Sequence, residues 1–437
     1  MSSTTRPTGM KAFFVIWISQ IFSILASGMT SFALSIYMYK ETESATAMGL
    51  MQVFYITPFL LISPIAGVMV DRYSRKLMMM VSDIAAAIGT ALILILFAAG
   101  YLEFWHLYIA AVLNGIGNTF QWPAYSAAIS TMIPKEQLGR VNGLMSLMEA
   151  GPGVIAPLLA GALLPIIQLE GILLLDVVTF LLAIGSLSFV IIPRPAATAE
   201  GQKKSGNILK EAAYGFEYIF KRPSLLGLQT VFLVGNLFSG IGFTVFAPMI
   251  LARTDQNSLI FGTIQSMAAV GSIAGGILMS VWGGFKRRVI GVLLGWAAMG
   301  LGVVAMGAAQ TLPFWIGAAI FFNLFAPLIN GSNQAIWQSK VHPDIQGRVF
   351  SARRLIAWIT NPISPVIGGT LADFVFEPAF RNPNGIVVPL TAIFGNGPGA
   401  GMGMLLALCG LGALLVGVGA YFYRPVRQVE DLLPDVI

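Results

Sequence analysis

GVMVDRYSRK, residues 67–76, interrupts a long apolar stretch of the chain with one acid and three bases. An apolar run ends at Gly67, and the next begins at Leu77. Each run is long enough to cross a hydrocarbon layer of ~30 Å. A short charged turn between two such runs predicts a pair of membrane helices joined by a tight loop. The charged residues of the turn are Asp71, Arg72, Arg75 and Lys76.

The composition excludes a soluble globular protein. Hydrophobic residues make up 56% of the 437 positions and charged residues only 10%, whereas a soluble domain is typically ~25% charged. The mean hydropathy is +0.80, and no soluble fold has enough interior to bury so much apolar surface. The net charge of +6 is explained by basic loops of a membrane protein, so no nucleic-acid partner is expected. The single cysteine, Cys409, rules out an intrachain disulfide.

Twelve apolar segments can be marked along the chain, and each is long enough for a membrane helix. Backbone groups must be paired in hydrocarbon, and the alternating ten-residue strands of a membrane barrel are absent from the sequence. The sequence therefore predicts an all-α integral membrane protein with twelve transmembrane helices, numbered helix 1 to helix 12. Their approximate bounds are 12–39, 46–70, 77–99, 105–131, 142–167, 171–192, 224–250, 258–281, 289–310, 313–338, 353–376 and 398–423.

Basic residues fall almost entirely in alternate loops. With the N-terminus in the cytoplasm, all of the 25 Lys and Arg residues except Lys40, Arg253 and Arg381 lie on the cytoplasmic side. Because positive charge is retained on that side, we predict a multi-pass protein of the cell membrane with both termini cytoplasmic. The apolar run that begins at Ala12 is too long for the core of a cleavable signal, so we expect helix 1 to be retained.

The second half of the chain repeats features of the first. One constant shift pairs residues 139–141, Gly-Arg-Val, with 347–349, and it also pairs Pro157 with Pro365. Duplicated six-helix halves are typical of secondary transporters, whose substrate site lies between the repeats. We predict two pseudo-symmetric six-helix bundles, over 1–192 and 224–437, the second ending in a short cytoplasmic tail. A cytoplasmic linker over 193–223 joins them and contains an amphipathic helix.

These features together resemble the major facilitator superfamily, over essentially the whole chain. The stretch 67–76 is similar to that family's signature between helices 2 and 3, a Gly followed four residues later by Asp and then by Arg and Lys. EAGPGVIAPLLAG in helix 5 is similar to a Gly-Pro motif of the family's exporters. DFVFEPAF and the Gly-rich loop GNGPGAGMG are similar to the macrolide-efflux and enterobactin-exporter branch. The Arg that many members have within helix 4 is absent here.

The resemblance implies a gate at the charged turn. In the family, the acid of this signature lies against the cytoplasmic end of helix 11, and a carboxylate near a helix N-terminus is stabilised by ~0.3–1 kcal/mol. Asp71 would then latch the first half onto the helix that begins near Arg348, with the bases completing the charge cluster. The alternative is that the bases set only the membrane topology. The predicted gating residues are Gly67, Asp71, Arg72, Arg75, Lys76 and Arg348.

Three acids lie inside predicted spans. Glu149, Asp83 and Asp176 lie roughly two helical turns from the nearer membrane face. An ionised carboxylate in a bilayer costs several kcal/mol unless it is paired or hydrated, so such acids are candidates for exchanging protons during transport. The alternative is a structural acid that other side chains satisfy, such as Glu149 bonded to Arg75 or Arg140.

Amides at helical spacing mark a candidate substrate cavity. Those of helix 4 share one face, and those of helix 10 repeat the pattern. Amides that faced lipid would be costly, so these faces are expected to point inward, either towards substrate or into hydrogen bonds between helices. The candidates are Gln20 of helix 1, Asn114, Asn118, Gln121 and Tyr125 of helix 4, Asn236 of helix 7, and Asn323, Asn330 and Gln334 of helix 10.

Helix 5 is rich in glycine and proline, which permit close approach of a neighbouring helix and a kink. The resemblance gives these residues an exporter role, and the alternative is simple helix packing. The residues are Gly151, Pro152, Gly153, Pro157 and Gly161.

The sequence thus predicts a monomeric secondary transporter that exports a hydrophobic or amphipathic small molecule, such as a drug or a siderophore, by exchange for protons. Alternatives are a uniporter or symporter of a lipid or metabolite, and a non-transporting sensor that retains the fold. A phosphate-binding loop and a catalytic triad are absent from the sequence. The two histidines, His106 and His342, lie in loops on opposite faces. We therefore expect no enzyme activity, no cofactor and no metal.

Overall fold

The structure is a computed structural model of the chain, and it describes residues 9–133, 138–192, 208–341 and 345–434. These residues are almost entirely helical, and no strand occurs among them, which confirms the predicted all-α class. The first half contains α1 (Gly9–Thr42), α2 (Ala45–Arg72), α3 (Arg75–Ala98), α4 (Phe104–Met132) and α5 (Leu138–Phe189). The linker contributes α6 (Ile208–Phe220).

The second half is divided into more and shorter helices. Its long helices are α7 (Pro223–Arg253), α8 (Ser258–Trp282), α9 (Arg288–Ala308) and α16 (Ala400–Phe422). Between α9 and α16 lie α10 (Leu312–Leu324), α11 (Ala326–Lys340), α12 (Gln346–Trp358), α13 (Ser364–Leu371), a π-helical segment (Ala372–Phe376), α14 (Glu377–Arg381) and α15 (Val387–Phe394). The tail forms α17 (Arg424–Arg427) and α18 (Val429–Leu432).

Helix α5 combines predicted helices 5 and 6. It has 52 residues, so a straight helix would be about 78 Å long, more than twice the thickness of the hydrocarbon layer. Gln168, with φ 57° and ψ −174°, interrupts the helical backbone near the middle. The two arms, 138–167 and 169–189, correspond to the two predicted segments.

Predicted helices 10 and 11 are interrupted rather than continuous. A break at Phe325 separates α10 from α11, and Pro327 lies in the first turn of α11. The break occurs there because a proline has no N–H with which to continue the preceding helix. The region of predicted helix 11 contains α12, α13 and the π-helical segment, which includes Asp373. Among the described residues, nine stretches are long and apolar enough to cross a membrane. With the two arms of α5 and the interrupted helices, twelve transmembrane helices are consistent with this architecture.

The chain divides into two compact units. Unit 1 comprises residues 1–42, 50–197 and 257–266, and unit 2 comprises 43–49, 198–256 and 267–437. In unit 1, buried side chains from four helices form the core, among them Phe13 of α1, Met79 of α3, Ile129 of α4 and Leu187 of α5. In unit 2 the core includes Leu228 of α7, Trp296 of α9, Trp337 of α11 and Ala413 of α16. Residues 43–49 of the first half therefore belong to unit 2, and residues 257–266 of the second half belong to unit 1.

The linker helix and the tail both pack into unit 2. Ile219 of α6 is fully buried in its core, and Phe216 packs beside it. Val426 and Val429 of the tail are buried in the same core. Lys340 secures the tail by donating from Nζ to the carbonyls of Glu430 and Leu433, each at 2.6 Å. The C-terminal end of the apolar face of α6 thus packs against the core of unit 2.

Charged side chains of one element stabilise the ends of others. The Glu430 carboxylate accepts from the backbone N–H groups of Arg288 and Val289 at the start of α9. The Lys76 ammonium donates to the carbonyls of Ser188 and Val190 at the end of α5. Acids at helix N-termini and bases at C-termini complement the helix dipole and pair backbone groups that the helix leaves free.

Candidate functional site

Asp83 lies in unit 1 in a buried cluster with two glutamines. Gln20 of α1 donates from Nε2 to Asp83 Oδ2 at 2.8 Å, and Gln121 of α4 donates from Nε2 to Asp83 Oδ1 at 3.0 Å. Gln121 Nε2 also lies 2.9 Å from Gln20 Oε1, which closes the triangle. Asp83 is 4% exposed and Gln20 is 2% exposed. Neither ion pair found among the described residues involves Asp83.

Two polar atoms beside this cluster are left without partners. Among the described residues, Gln121 Oε1 is buried and accepts no hydrogen bond, and the hydroxyl of Tyr125, one turn further along α4, is also buried and unpaired. A buried polar atom without a partner costs ~1–3 kcal/mol. The cluster therefore retains one free acceptor and one free hydroxyl that a proton, a water molecule or a ligand group can satisfy.

Asp176 lies in a second buried cluster of unit 1, in the later arm of α5. Ser27 of α1 donates from Oγ to Asp176 Oδ1 at 2.9 Å, and Thr90 of α3 donates from Oγ1 to Asp176 Oδ2 at 3.1 Å. Thr30 of α1 is close to the same carboxyl group but outside hydrogen-bonding geometry, so its buried hydroxyl has no partner. Asp176 is 1% exposed. Its surroundings are hydroxyl oxygens contributed by two other helices.

The two clusters use the same face of α1 and the same face of α3. Gln20 and Ser27 are seven residues apart on α1, and Asp83 and Thr90 are seven residues apart on α3. Seven residues are close to two helical turns, so each pair shares a face, with about 10.5 Å between the two levels. These two faces therefore carry polar side chains at two levels, with one buried acid at each level.

The predicted cavity residues of α4 have different partners. Asn114 donates to the carbonyl of Ala110 one turn earlier in its own helix. Asn118 is exposed and donates to the hydroxyl of Tyr55 of α2. Gln121 and Tyr125 belong to the Asp83 cluster described above. The face predicted from their spacing thus exists in unit 1, and Gln121 connects it to the buried acid.

The predicted cavity residues of unit 2 are mostly bonded to helix backbone. Asn323 and Asn330 each donate to a carbonyl one turn earlier, and Asn236 of α7 donates to the carbonyl of Ala357 in α12. Gln334 accepts at Oε1 from Nη1 of Arg353 at 3.0 Å. Asn330 is exposed and Gln334 is partly buried. These contacts favour the helix-to-helix role for Asn236, whereas Asn330 presents its side chain outward.

The charged turn is described only in part. Ser74 caps α3, because its Oγ accepts from the N–H of Leu77 at 3.1 Å. Lys76 is bound to the end of α5 in unit 1, as given above. Arg75, another predicted gating residue, is the first residue of α3. The surroundings of Gly67 and the side chains of Asp71, Arg72, Arg348 and the predicted proton carrier Glu149 lie outside the described part of the structure.

The glycines of the helix 5 motif have unequal surroundings. A Cβ on Gly161 would lie 2.6 Å from the carbonyl oxygen of Ser258 at the start of α8, whereas a Cβ on Gly151 or Gly153 would meet no atom of the described residues within 4 Å. Ser258 also donates from Oγ to the carbonyl of Gly161 at 3.0 Å. On α8, Gly262 lies against the carbonyl of Pro157. Close packing in unit 1 therefore requires Gly161 but not the first two glycines.

A groove of about 760 Å³ lies elsewhere, between α9 and α10. Its lining is apolar except for Gln310 and Thr311, and none of the predicted site residues line it. An apolar groove on a membrane helix pair is ordinary lipid-facing surface, so the polar clusters are the better candidates for function.

Sequence reasoning identified the buried acids but missed the hydroxyls around one of them. Ser27, Thr30 and Thr90 were not singled out, although Ser27 lies seven residues from Gln20 on helix 1, at the spacing that marks one face. Asp373 and Ser44, which contact one another in unit 2, were also missed. Asp373 is an acid within a predicted span, which is a signal that the sequence does contain.

Comparisons with known proteins agree with these features. The family model described as the Major Facilitator Superfamily matches residues 16–365. Macrolide efflux protein A of Streptococcus pyogenes is 26% identical over 369 residues, which cover 83% of this chain and 89% of that protein. Multidrug efflux pump Tap of Mycolicibacterium fortuitum is 24% identical over 366 residues, which cover 79% and 86% respectively. The similarity to macrolide-efflux proteins expected from the sequence is confirmed.

A solved structure has the same fold. A bacterial homolog of the human lysosomal transporter Spinster, in an inward-facing and unoccupied conformation, matches with a TM-score of 0.69 at 17% identity. The match covers 99% of this chain and 100% of that one. At such identity the likeness concerns the fold alone, and it confirms the fold that the sequence predicted.

Proposed function

Because the chain belongs to the major facilitator superfamily, we propose that it exports hydrophobic or amphipathic small molecules from the cell in exchange for protons. It is a multi-pass membrane transporter rather than an enzyme, and efflux pumps for macrolides and for multiple drugs are among its relatives. Relatives named for efflux of macrolides and of multiple drugs support the same class of substrate here. The orientation with both termini in the cytoplasm is part of the proposal and rests on the loop charges.

The Asp83 cluster is the observation on which proton exchange rests. An ionised carboxylate at this position has two amide donors but no cation among its described partners. Two neutral hydrogen bonds offset only part of the several kcal/mol that desolvation of the charge costs. Binding a proton removes that charge, so the group is suited to alternate between a charged and a neutral state.

Gln121 connects the proton to the substrate face. When Asp83 binds a proton, the carboxyl group becomes a donor, and Gln121 Oε1 is an adjacent acceptor without a partner. Rotation of the Gln121 amide would then replace the hydrogen bonds that this α4 side chain donates to Gln20 and Asp83. Asn114 and Asn118 lie on the same face of that helix, so the change reaches the surface predicted to contact substrate.

The charged turn completes the proposal as a cytoplasmic gate. Resemblance assigns that role to Asp71, with Arg348 at the start of α12 as a partner. Lys76 supports the gate differently from what the sequence suggested, because it fixes the start of α3 to the end of α5.

Flux measurements in proteoliposomes test this function. The purified protein is reconstituted, and uptake of a labelled macrolide and of a fluorescent lipophilic cation is followed with and without a pH gradient. We expect a proton gradient to accelerate flux, and a protonophore to abolish the acceleration. Flux that is indifferent to pH would remove proton exchange, and the absence of flux under every gradient would remove the transport of these substrates.

A further inference from the structure

We propose that Asp176, Ser27, Thr30 and Thr90 form a binding site for a sodium ion in unit 1. The site is separate from the proton exchange proposed at Asp83, and its occupancy can be measured without any transport. Bound Na⁺ would hold α1, α3 and α5 together, because each of these helices contributes a ligand.

The first argument is the set of oxygen atoms around one charge. The two carboxylate oxygens of Asp176 lie 2.9 Å and 3.1 Å from the hydroxyl oxygens of Ser27 and Thr90. Thr30 adds a third hydroxyl close to the same carboxyl group. Five oxygens from three helices thus converge where the carboxylate is 1% exposed. Hard cations prefer oxygen ligands of this kind.

The second argument is the unpaired hydroxyl of Thr30. This residue is 6% exposed, and its Oγ1 makes no hydrogen bond to the described residues, although it lies near an acceptor as strong as a carboxylate. Buried hydroxyls are normally paired, and an exception in a native structure calls for an explanation such as an ion. A cation between the hydroxyl and the carboxylate would use the lone pairs that Thr30 leaves free.

The contrast with Asp83 distinguishes a cation from a proton. At Asp83 both neighbouring side chains present amide N–H donors to the carboxylate, so a cation there would require both amides to rotate. At Asp176 the neighbours are hydroxyls, each of which can rotate its hydrogen away and turn an oxygen towards an ion. The surroundings of Asp83 therefore favour a proton, and those of Asp176 favour a cation.

The charge of the site selects a small monovalent ion. Asp176 is the carboxylate that the Ser27 and Thr90 hydroxyls contact, and no group of three His, Cys, Asp or Glu side chains converges within the described ranges. One negative charge neutralises Na⁺ but leaves a divalent ion with a net charge in a buried place, which is costly. Oxygen pairs about 3 Å apart suit an ion smaller than K⁺.

Equilibrium binding of ²²Na⁺ to the purified full chain in detergent tests the site. We expect saturable binding close to one ion per chain, displaced by excess Li⁺ or Na⁺ but not by K⁺ or choline. Asp176→Asn is expected to abolish it. A folded protein that shows no saturable binding would overturn the proposal.

Thr30→Val is the sharper variant, because its hydroxyl has no partner to lose. We expect Thr30→Val to fold normally and to be at least as stable as the native chain without Na⁺, yet to bind Na⁺ at least tenfold more weakly. Thr30→Ser, which keeps the oxygen, should retain binding. Thr119→Val is the matched control, since Thr119 is equally buried but bonds to the carbonyl of Gly115 within α4. Native affinity in Thr30→Val would overturn the site.

A flux assay separates this proposal from the proposed export function. If proteoliposomes free of Na⁺ show pH-driven flux and the protein binds no Na⁺, the site is wrong and export stands. If Na⁺ binds and is lost in Thr30→Val but no substrate moves under any gradient, the site stands and the export proposal fails.

Discussion

Asp373 accepts a hydrogen bond from Ser44 at 2.6 Å, and the same carboxylate accepts the N–H groups of Ala45 and Thr46 at 3.0 Å and 2.9 Å. A side chain from the π-helical segment therefore caps α2, whose own first turn contains no acid. Both partners belong to unit 2, although residue 44 precedes the second predicted helix and residue 373 follows more than 300 positions later. The orientation that we propose from the loop charges puts this contact on the outer side of the membrane.

Loss of that cap should expose the start of α2. In a Cys409→Ala background, Ala45→Cys gives a reporter at a position that is fully buried. Asp373→Asn is expected to accelerate its labelling by an impermeant maleimide roughly tenfold, because a trans-cap of this kind contributes ~0.5–2 kcal/mol. Ser44→Ala removes one of the three bonds and should have a smaller effect. Equal labelling rates with and without Asp373 would contradict the role assigned to the carboxylate.

Asp83→Asn should uncouple flux from the pH gradient. The asparagine can still bond to Gln20 and Gln121, so the cluster remains packed, but no proton can be exchanged there. We expect downhill flux of substrate to persist while its acceleration by a pH gradient disappears. Ser82→Ala is the control, since Ser82 is an equally buried neighbour that bonds to the carbonyl of Met78. If Glu149→Gln rather than Asp83→Asn removes the pH dependence, Glu149 is the proton carrier.

The helices and the buried acids could be predicted from sequence because both follow from one-dimensional patterns. Length and hydropathy mark the spans, and a carboxyl group inside a span must avoid lipid whatever its partner. Asp83 and Asp176 were identified on that basis. The resemblance of the charged turn to a family signature identified the fold.

The partners of those acids could not be predicted, because they depend on how each helix is rotated about its axis. Asp83 bonds to Gln20 and Gln121 from helices that are distant in sequence, and nothing in the spacing within one helix reports which faces meet. The break at Phe325 was missed for a similar reason. A mean hydropathy is insensitive to a short interruption whose backbone groups are paired inside the protein.

Two glycines of the helix 5 motif should respond oppositely to alanine. Gly161→Ala places a Cβ 2.6 Å from the carbonyl oxygen of Ser258 and is expected to destabilise the protein by ~1–3 kcal/mol. Gly153→Ala meets nothing within 4 Å and gains up to ~1 kcal/mol of helix propensity, so stability should be unchanged or higher. Thermal unfolding of the purified variants distinguishes the two. If Gly153→Ala is stable yet loses flux, the glycine has a role in transport beyond packing.

Neighbouring acids of the tail should differ in their effect on stability. Glu430→Ala removes the carboxylate that accepts two backbone N–H groups of α9, and it should cost ~0.5–2 kcal/mol. Asp431→Ala removes an ion pair with Arg287 in which both side chains are more than half exposed, and such pairs contribute ~0–1 kcal/mol. Hydrogen exchange at the first turn of α9 should accelerate in the first variant only. Equal acceleration in both would show that charge alone, rather than the cap, is responsible.

Asp71→Asn should reduce flux at least tenfold without affecting membrane insertion. Asp71 lies in the last turn of α2, and a carboxylate near a helix C-terminus is destabilised by ~0.3–1 kcal/mol unless a positive group compensates. The start of α12 is the partner expected from resemblance. In a double-mutant cycle, Arg348→Gln should add little to Asp71→Asn if the two residues act together, whereas additive losses would separate Arg348 from the latch. Native flux in Asp71→Asn would show that the charged turn sets topology alone.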